Sequence, residues 1–299
     1  GCRRRHMRDL FLAGLLIGLA ACQGAPPDTV QSPLDLTALQ WLDSASDPVL
    51  HLTQHPSTCL TEPNLPAVQR GALLFESPTL LGGQAAKAGL SCAACHRNGR
   101  GNPDFVFPGI SGPPGTADVT HRLFSKIRAD QTFHPVPIPD LATSEGRSRV
   151  DRSGAGELEP FLSALILEEF SGTAPENDVV SDLAAYIRAL DDAVCDSTLN
   201  EPVSWQREID LIRAGLARGA PKTPAYTNAM RAAAGRVFER FPGSENADLR
   251  QKLIAFSRAL QAGASQDGFD ADLFEIEAEL AESAAGSFYD PEYLLRNWP

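Results

Sequence analysis

Apolar residues recur every three or four positions through the last third of the chain. Trp205, Ile209, Ile212 and Leu216 share one helical face, and Tyr226, Met230, Ala234, Val237 and Phe241 share a second. Leu249, Leu253, Phe256 and Leu260 make a third stripe; Leu273, Ile276 and Leu280 make a fourth. Stripes of this kind, separated by Pro or Gly, predict a small helical bundle over residues 200–299. That stretch holds no His and no Cys, so chemistry is not expected there.

The same period appears upstream. In "PAVQRGALLFESP", Val68, Ala72 and Phe75 align with Gly71, and Pro66 suits a first turn. "GELEPFLSALILEEF" is helical and strongly apolar, and "ENDVVSDLAAYIRALDD" repeats at Val179, Leu183, Tyr186/Ile187 and Leu190. "ADVTHRLFSKIRAD" is also expected to be a helix, with Val119, Leu123 and Ile127 inward and His121 on the polar face. "NGRGNPDFVFPGISGPPGT" reads as a long Gly/Pro loop, and the three prolines of "FHPVPIPDL" enforce an extended path. No segment alternates convincingly as a strand.

The first residues read differently. Met7 is the expected start, and the apolar run from Leu10 to Ala21 is shorter than the ~20 residues that span a bilayer, which fits a signal-peptide core over residues 1–21. "LAAC", Leu19 to Cys22, resembles the bacterial lipobox. That resemblance implies cleavage before Cys22, a diacylglycerol on its thiol, and, with Gln23 following, sorting to the periplasmic side of the outer membrane. Residues 22–65, rich in Pro, Ser, Thr and Gln, are expected to be a lipid-anchored tether, with a short helix near Leu39–Leu42.

The 299 residues carry a formal charge of −12; removing residues 1–21 takes away four Arg and one Asp and deepens it to −15. With no basic run in the body, a nucleic-acid partner is disfavoured, while a basic protein partner suits the surface. Of six Cys, Cys2 precedes the expected start and Cys22 is the lipid site. In an oxidising compartment Cys59 and Cys195 are expected to pair, the alternative being two buried thiols.

That leaves "SCAACH", with Cys92, Cys95 and His96. Two thiols three residues apart serve a redox dithiol, half a zinc site, or covalent haem. A zinc site needs further ligands, and Cys59 and Cys195 are isolated. A redox dithiol expects a strand before the pair, and the surroundings are helical. Haem attachment needs two thiols for the vinyl groups and an adjacent His for the iron, and one turn supplies all three. One covalent haem c is therefore expected on Cys92 and Cys95, with His96 as iron ligand.

Residues from about Gln69 to Asp191 resemble the cytochrome c fold. They are most similar to one domain of the di-haem cytochrome c peroxidases and their methylamine-utilisation relatives, through "RGALLFESPTLLGGQAAKAGLSCAACHRNGRG", "FHPVPIPDLAT" and "LAAYIRALDD". The resemblance implies that His96 is the proximal ligand and that Pro137 or Pro139 lies in backbone contact beside it. The expected fold is thus all-α: a monohaem cytochrome c-like domain with long Gly/Pro loops over residues 66–199, then the helical domain. Two departures matter: the relatives carry two haem motifs where this chain has one, and Met230, the single Met after Met7, lies outside the cytochrome region. The sixth iron ligand is expected to be either His134, restricted by Phe133 and Pro135, or absent. His51 and His55 lie in the tether. The expected role is electron transfer in the cell envelope with a redox partner protein. The alternative is a peroxidase-like haem enzyme, or its partner subunit, with an open sixth position.

Overall fold

The computed structural model describes residues 32–148, 157–196, 198–218, 223–263 and 265–299. The expected signal peptide and lipid-bearing Cys22 lie outside the described residues. No helix among the described residues is long and apolar enough to cross a membrane.

The chain is mostly helical. After α1 (Pro48–Thr53) come α2 (Pro66–Phe75), α3 (Pro78–Leu81), α4 (Gly83–Lys87), α5 (Cys92–Cys95), α6 (Ser144–Ser148), α7 (Leu158–Ala164) and α8 (Asn177–Ala189). The C-terminal third adds α9 (Trp205–Leu216), α10 (Pro224–Glu239), α11 (Ala247–Ala262), α12 (Gln266–Ser283) and α13 (Pro291–Arg296). Pro at the first turn of α1, α2, α10 and α13 pre-sets φ where no N–H is needed. Asp47 caps α1 and Ser204 caps α9 through their side chains, and Gly263 ends α11 in the left-handed conformation.

The four expected C-terminal stripes are buried as read from the sequence. Their core does not stop at residue 200. One apolar cluster joins Leu73 and Leu74 of α2, Leu183 of α8, Ile212 of α9, Met230 of α10 and Leu253 of α11. Helix α2 crosses α8 at Gly71, where a Cβ would stand 2.1 Å from the Asp182 carbonyl oxygen and 2.6 Å from Tyr186 Cβ. Arg70 pins the crossing with a two-pronged ion pair to the buried Asp182, at 2.6 and 2.9 Å.

Three expectations change. Residues 118–128 form turns and bends, not a helix: Leu123 and Ile127 are exposed and Phe124 is the buried apolar residue. Asp118 accepts from the Thr120 hydroxyl and the His134 amide, and Ser125 donates to the Glu168 carbonyl, so side chains take the bonds a helix would need. Four short strands form two antiparallel ladders, β1 (Gln54–Pro56) with β4 (Asn200–Pro202) and β2 (Thr116–Ala117) with β3 (Val136–Pro137). Residues 32–65 pack on the body: Leu36 and Leu52 are buried against Phe288 and Leu294 near the C-terminus.

Cys59 and Cys195 are joined, their Cα atoms 5.2 Å apart, and the Cys59 segment is tied to the end of α8 by the Asp191 amide on the Cys59 carbonyl. The bond closes a loop spanning 136 positions. Replacing both residues by Ala is expected to lower stability by about 2–4 kcal/mol. The check is the denaturant midpoint of the two proteins; two alkylatable thiols at these positions in unreduced wild type would contradict the bond.

A candidate cofactor cavity at the CxxCH motif

Helix α5 is four residues long and is held by its surroundings. The Asn102 amide donates to the Ala94 carbonyl at 2.8 Å, and the His96 amide closes on the Cys92 carbonyl at 2.8 Å. Past His96 the chain reverses through Asn98 and Gly99, both at positive φ. A Cβ on Gly99 would stand 2.5 Å from a Leu190 methyl, so α8 packs directly on this turn.

Cys92, Cys95 and His96 all line a cavity of about 520 Å³, within the roughly 300–1,000 Å³ of cofactor sites. Most of the rest of its wall is apolar: Phe75 from α2, Leu183 and Ile187 from α8, Leu162 and Phe161 from α7, and Phe124 from the loop. Val136 and Phe161 are wall residues that are also about half exposed, so the cavity reaches the surface there.

The Pro139 carbonyl lies 3.0 Å from His96 Nδ1. A carbonyl only accepts, so Nδ1 carries a proton, and in the neutral ring Nε2 is then the nitrogen with the lone pair. Metal-bound histidines are oriented in this way. Pro139 is itself fixed. Arg100 reaches across to Asp140 with an ion pair at 2.6 Å, and the Leu141 amide donates to the Gly99 carbonyl at 3.0 Å. Arg100 thus acts as a positioning residue for the acceptor of His96.

Burial pushes both thiols up to about 12, although each residue is only half-buried by exposure, because the sulfurs face the closed apolar space. Metal-binding and redox-active cysteines have depressed values instead. No group of three or more His, Cys, Asp or Glu that could hold a metal ion occurs among the described residues. The donor set that is present, two thiols and one imidazole facing an apolar cavity, fits a haem c.

Other expected residues fall elsewhere. His134 does not line the cavity. Its side chain is 46% exposed, with Nε2 3.3 Å from the Thr120 hydroxyl and Nδ1 2.9 Å from the Thr132 carbonyl. Asp118 accepts from the His134 backbone amide at 3.3 Å, and the expectation of His134 or no sixth ligand is left with His134 outside the cavity lining. Met230 is buried in the main core beside Gly215, Tyr186 packs on Phe75, and Glu168 pairs with Arg128 at the surface. Glu169 does line the cavity, at the end of a π-helical turn (Leu165–Glu169) that continues α7. Burial raises its carboxyl above the usual range. Apart from Cys92, Cys95 and His96 it is the one titratable group on the described wall. The widened turn is what brings it there, and period counting in "LILEE" cannot show that.

No protein-family model, curated protein or solved structure matches the chain.

Proposed function

We propose that the chain is a monohaem c-type cytochrome carrying electrons in the cell envelope. The observation that carries the reading is the placement of Cys92, Cys95 and His96 on one wall of an apolar cavity, with the His96 Nδ1 proton on the Pro139 carbonyl. Cys92 and Cys95 would hold the porphyrin and His96 Nε2 would ligate its iron; the bound group would supply a one-electron couple. The chain's own part is to fix the imidazole ring of His96 through Arg100, Asp140 and Pro139, to keep water off most of the cavity, and to leave an opening near Val136 and Phe161. The crossing of α2 over α8 resembles the meeting of first and last helices in cytochrome c domains, which supports a cytochrome c-like arrangement of this region. The Cys59–Cys195 bond supports export, and with "LAAC" it favours a lipoprotein anchored through Cys22 on the periplasmic side of the outer membrane. The acidic surface favours a basic redox partner protein over nucleic acid.

One observation favours a second reading, a peroxidase-like haem protein. The described wall offers no His or Met besides His96, and it does offer Glu169, a carboxyl able to hold or pass a proton. The ferric absorption and EPR spectra of the holo-protein are expected to be high-spin and unchanged in His134→Ala. A low-spin spectrum lost in that variant would restore His134 as a ligand. Reversible one-electron titration without steady-state peroxide turnover supports the carrier. Turnover that falls at least tenfold in Glu169→Gln selects the second reading.

A further inference from the structure

Helix α5 has a second face. Ala93, Ala94 and Arg97 turn away from the first cavity and line another, of about 390 Å³. Its remaining walls come from far along the chain: Trp41 and Leu42, His51 and His55 beside β1, and residues of α9 and α10.

Four guanidiniums and three carboxylates face this space. Glu76 is taken by Arg207 at 2.5 Å and Arg236 at 2.8 Å, and Glu208 by Arg236 at 2.6 Å. Glu239 accepts from the Thr37 hydroxyl at 2.7 Å and the Thr37 amide at 3.2 Å. Arg97 and Arg240 make no ion pair among the described residues. Arg97 donates to the His51 and Gln54 carbonyls and sits 3.0 Å from His51 Nδ1. Arg240 donates to the Leu52 and Phe288 carbonyls at 2.9 and 3.3 Å. Four positive charges against three negative leave one positive charge in excess.

The two neighbouring imidazoles are lowered by burial first and by the guanidiniums second. Burial, then Arg97, lowers His51 to about 4; burial, then Arg97, Arg207 and Arg240, holds His55 well below its usual value. Both imidazoles are therefore neutral. His55 Nδ1 is buried with no hydrogen-bond partner, a state that costs free energy until a ligand satisfies it. Burial lowers Arg97 to about 10, with Asp104 opposing, so Arg97 stays charged at neutral pH; Asp104 lies outside the cavity lining and accepts from Ser46 at 2.6 Å.

We propose that this cavity binds a small organic monocarboxylate, its carboxylate taken by Arg97, Arg240 and His55 and its apolar body by Trp41, Leu42 and Ala93. A single negative charge neutralises the excess, whereas a dianion would reverse it. The largely apolar surface around Arg97 and Arg240, which lack a carboxylate partner among the described residues, calls for a hydrocarbon or aromatic body, not a bare inorganic ion. The site stands apart from the haem reading, because none of these residues touches the first cavity.

Calorimetric titration of the isolated full-length protein with benzoate, benzamide and inorganic phosphate tests this. Benzoate is expected to saturate one site, and benzamide to bind about tenfold more weakly or not at all, the loss of one charge-assisted hydrogen bond. Arg240→Gln is expected to weaken benzoate by a similar factor. Because that change also removes structural hydrogen bonds, Glu239→Gln is the second variant: removing a like charge from the wall is expected to tighten benzoate several-fold. Absence of saturable benzoate binding, equal binding of benzamide, binding of phosphate in place of benzoate, or an unchanged affinity in Glu239→Gln would overturn the proposal.

Discussion

Replacing Cys92 and Cys95 together by Ala is expected to abolish haem staining of the denatured protein, while either single substitution leaves a partial stain. Denaturation removes every non-covalent contact of the 520 Å³ cavity, so the stain reports thioether bonds alone. Both sulfurs face that one cavity, and burial there raises both thiols to about 12. His96→Ala separates the roles: the stain is expected to persist while the ferric spectrum changes, since in the proposed reading the imidazole would ligate iron and form no bond to the porphyrin. A stain that survives the double substitution would overturn attachment at these residues.

Removing the Glu76 carboxylate is expected to produce the largest loss of stability of any single truncation discussed. Glu76 ends α2 and is nearly buried between Arg207 of α9 and Arg236 of α10, so it joins the motif-bearing half to the C-terminal helices. Glu76→Ala would take the ion pair from Arg207 and leave Arg236 with Glu208 alone, at a cost of about 3 kcal/mol, the low end for breaking a buried pair because both guanidiniums are partly exposed. That is a large share of the 5–15 kcal/mol typical of a folded domain. Burial alone would raise this carboxyl, but Arg207 and Arg236 outweigh it and hold it below the usual carboxylate range. A depressed folded value gives stability that is present above the unfolded value and is lost as pH falls through the folded one. Wild type is therefore expected to lose stability below about pH 4, near the ordinary carboxylate value, with Glu76→Ala showing a flatter acid limb. Denaturant midpoints from pH 7 to pH 3 measure both effects; a midpoint within experimental error of wild type at pH 7 would refute the role given to Glu76.

What could be read from the sequence was what repeats locally or is spelled in one place. The stripes of α8 to α11 needed only the helical period, and the grouping of Cys92, Cys95 and His96 needed one turn. The segment from Ala117 to Asp130 misled because Leu123 and Ile127 fit a helical face, while Asp118 and Ser125 use their side chains to hold a turn. Residues 32–65 looked like a tether because Leu36 and Leu52 find their partners, Phe288 and Leu294, only at the far end of the chain. The second cavity was hidden for the same reason: Arg97, His55 and Arg240 are unremarkable singly and meet only in three dimensions.

The close crossing at Gly71 also bears on time. Helices α9 to α12 pack largely on sequence neighbours, and such local contacts form fast; α2 and α8 must first close a long intervening loop. The backbone approach that Gly71 permits is therefore expected to form late in refolding, and it sets α2 beside α8, whose Leu183 and Ile187 share one cavity wall with Phe75. Before α2 and α8 meet, that wall is incomplete, so Cys92 and Cys95 are expected to be open to the outside.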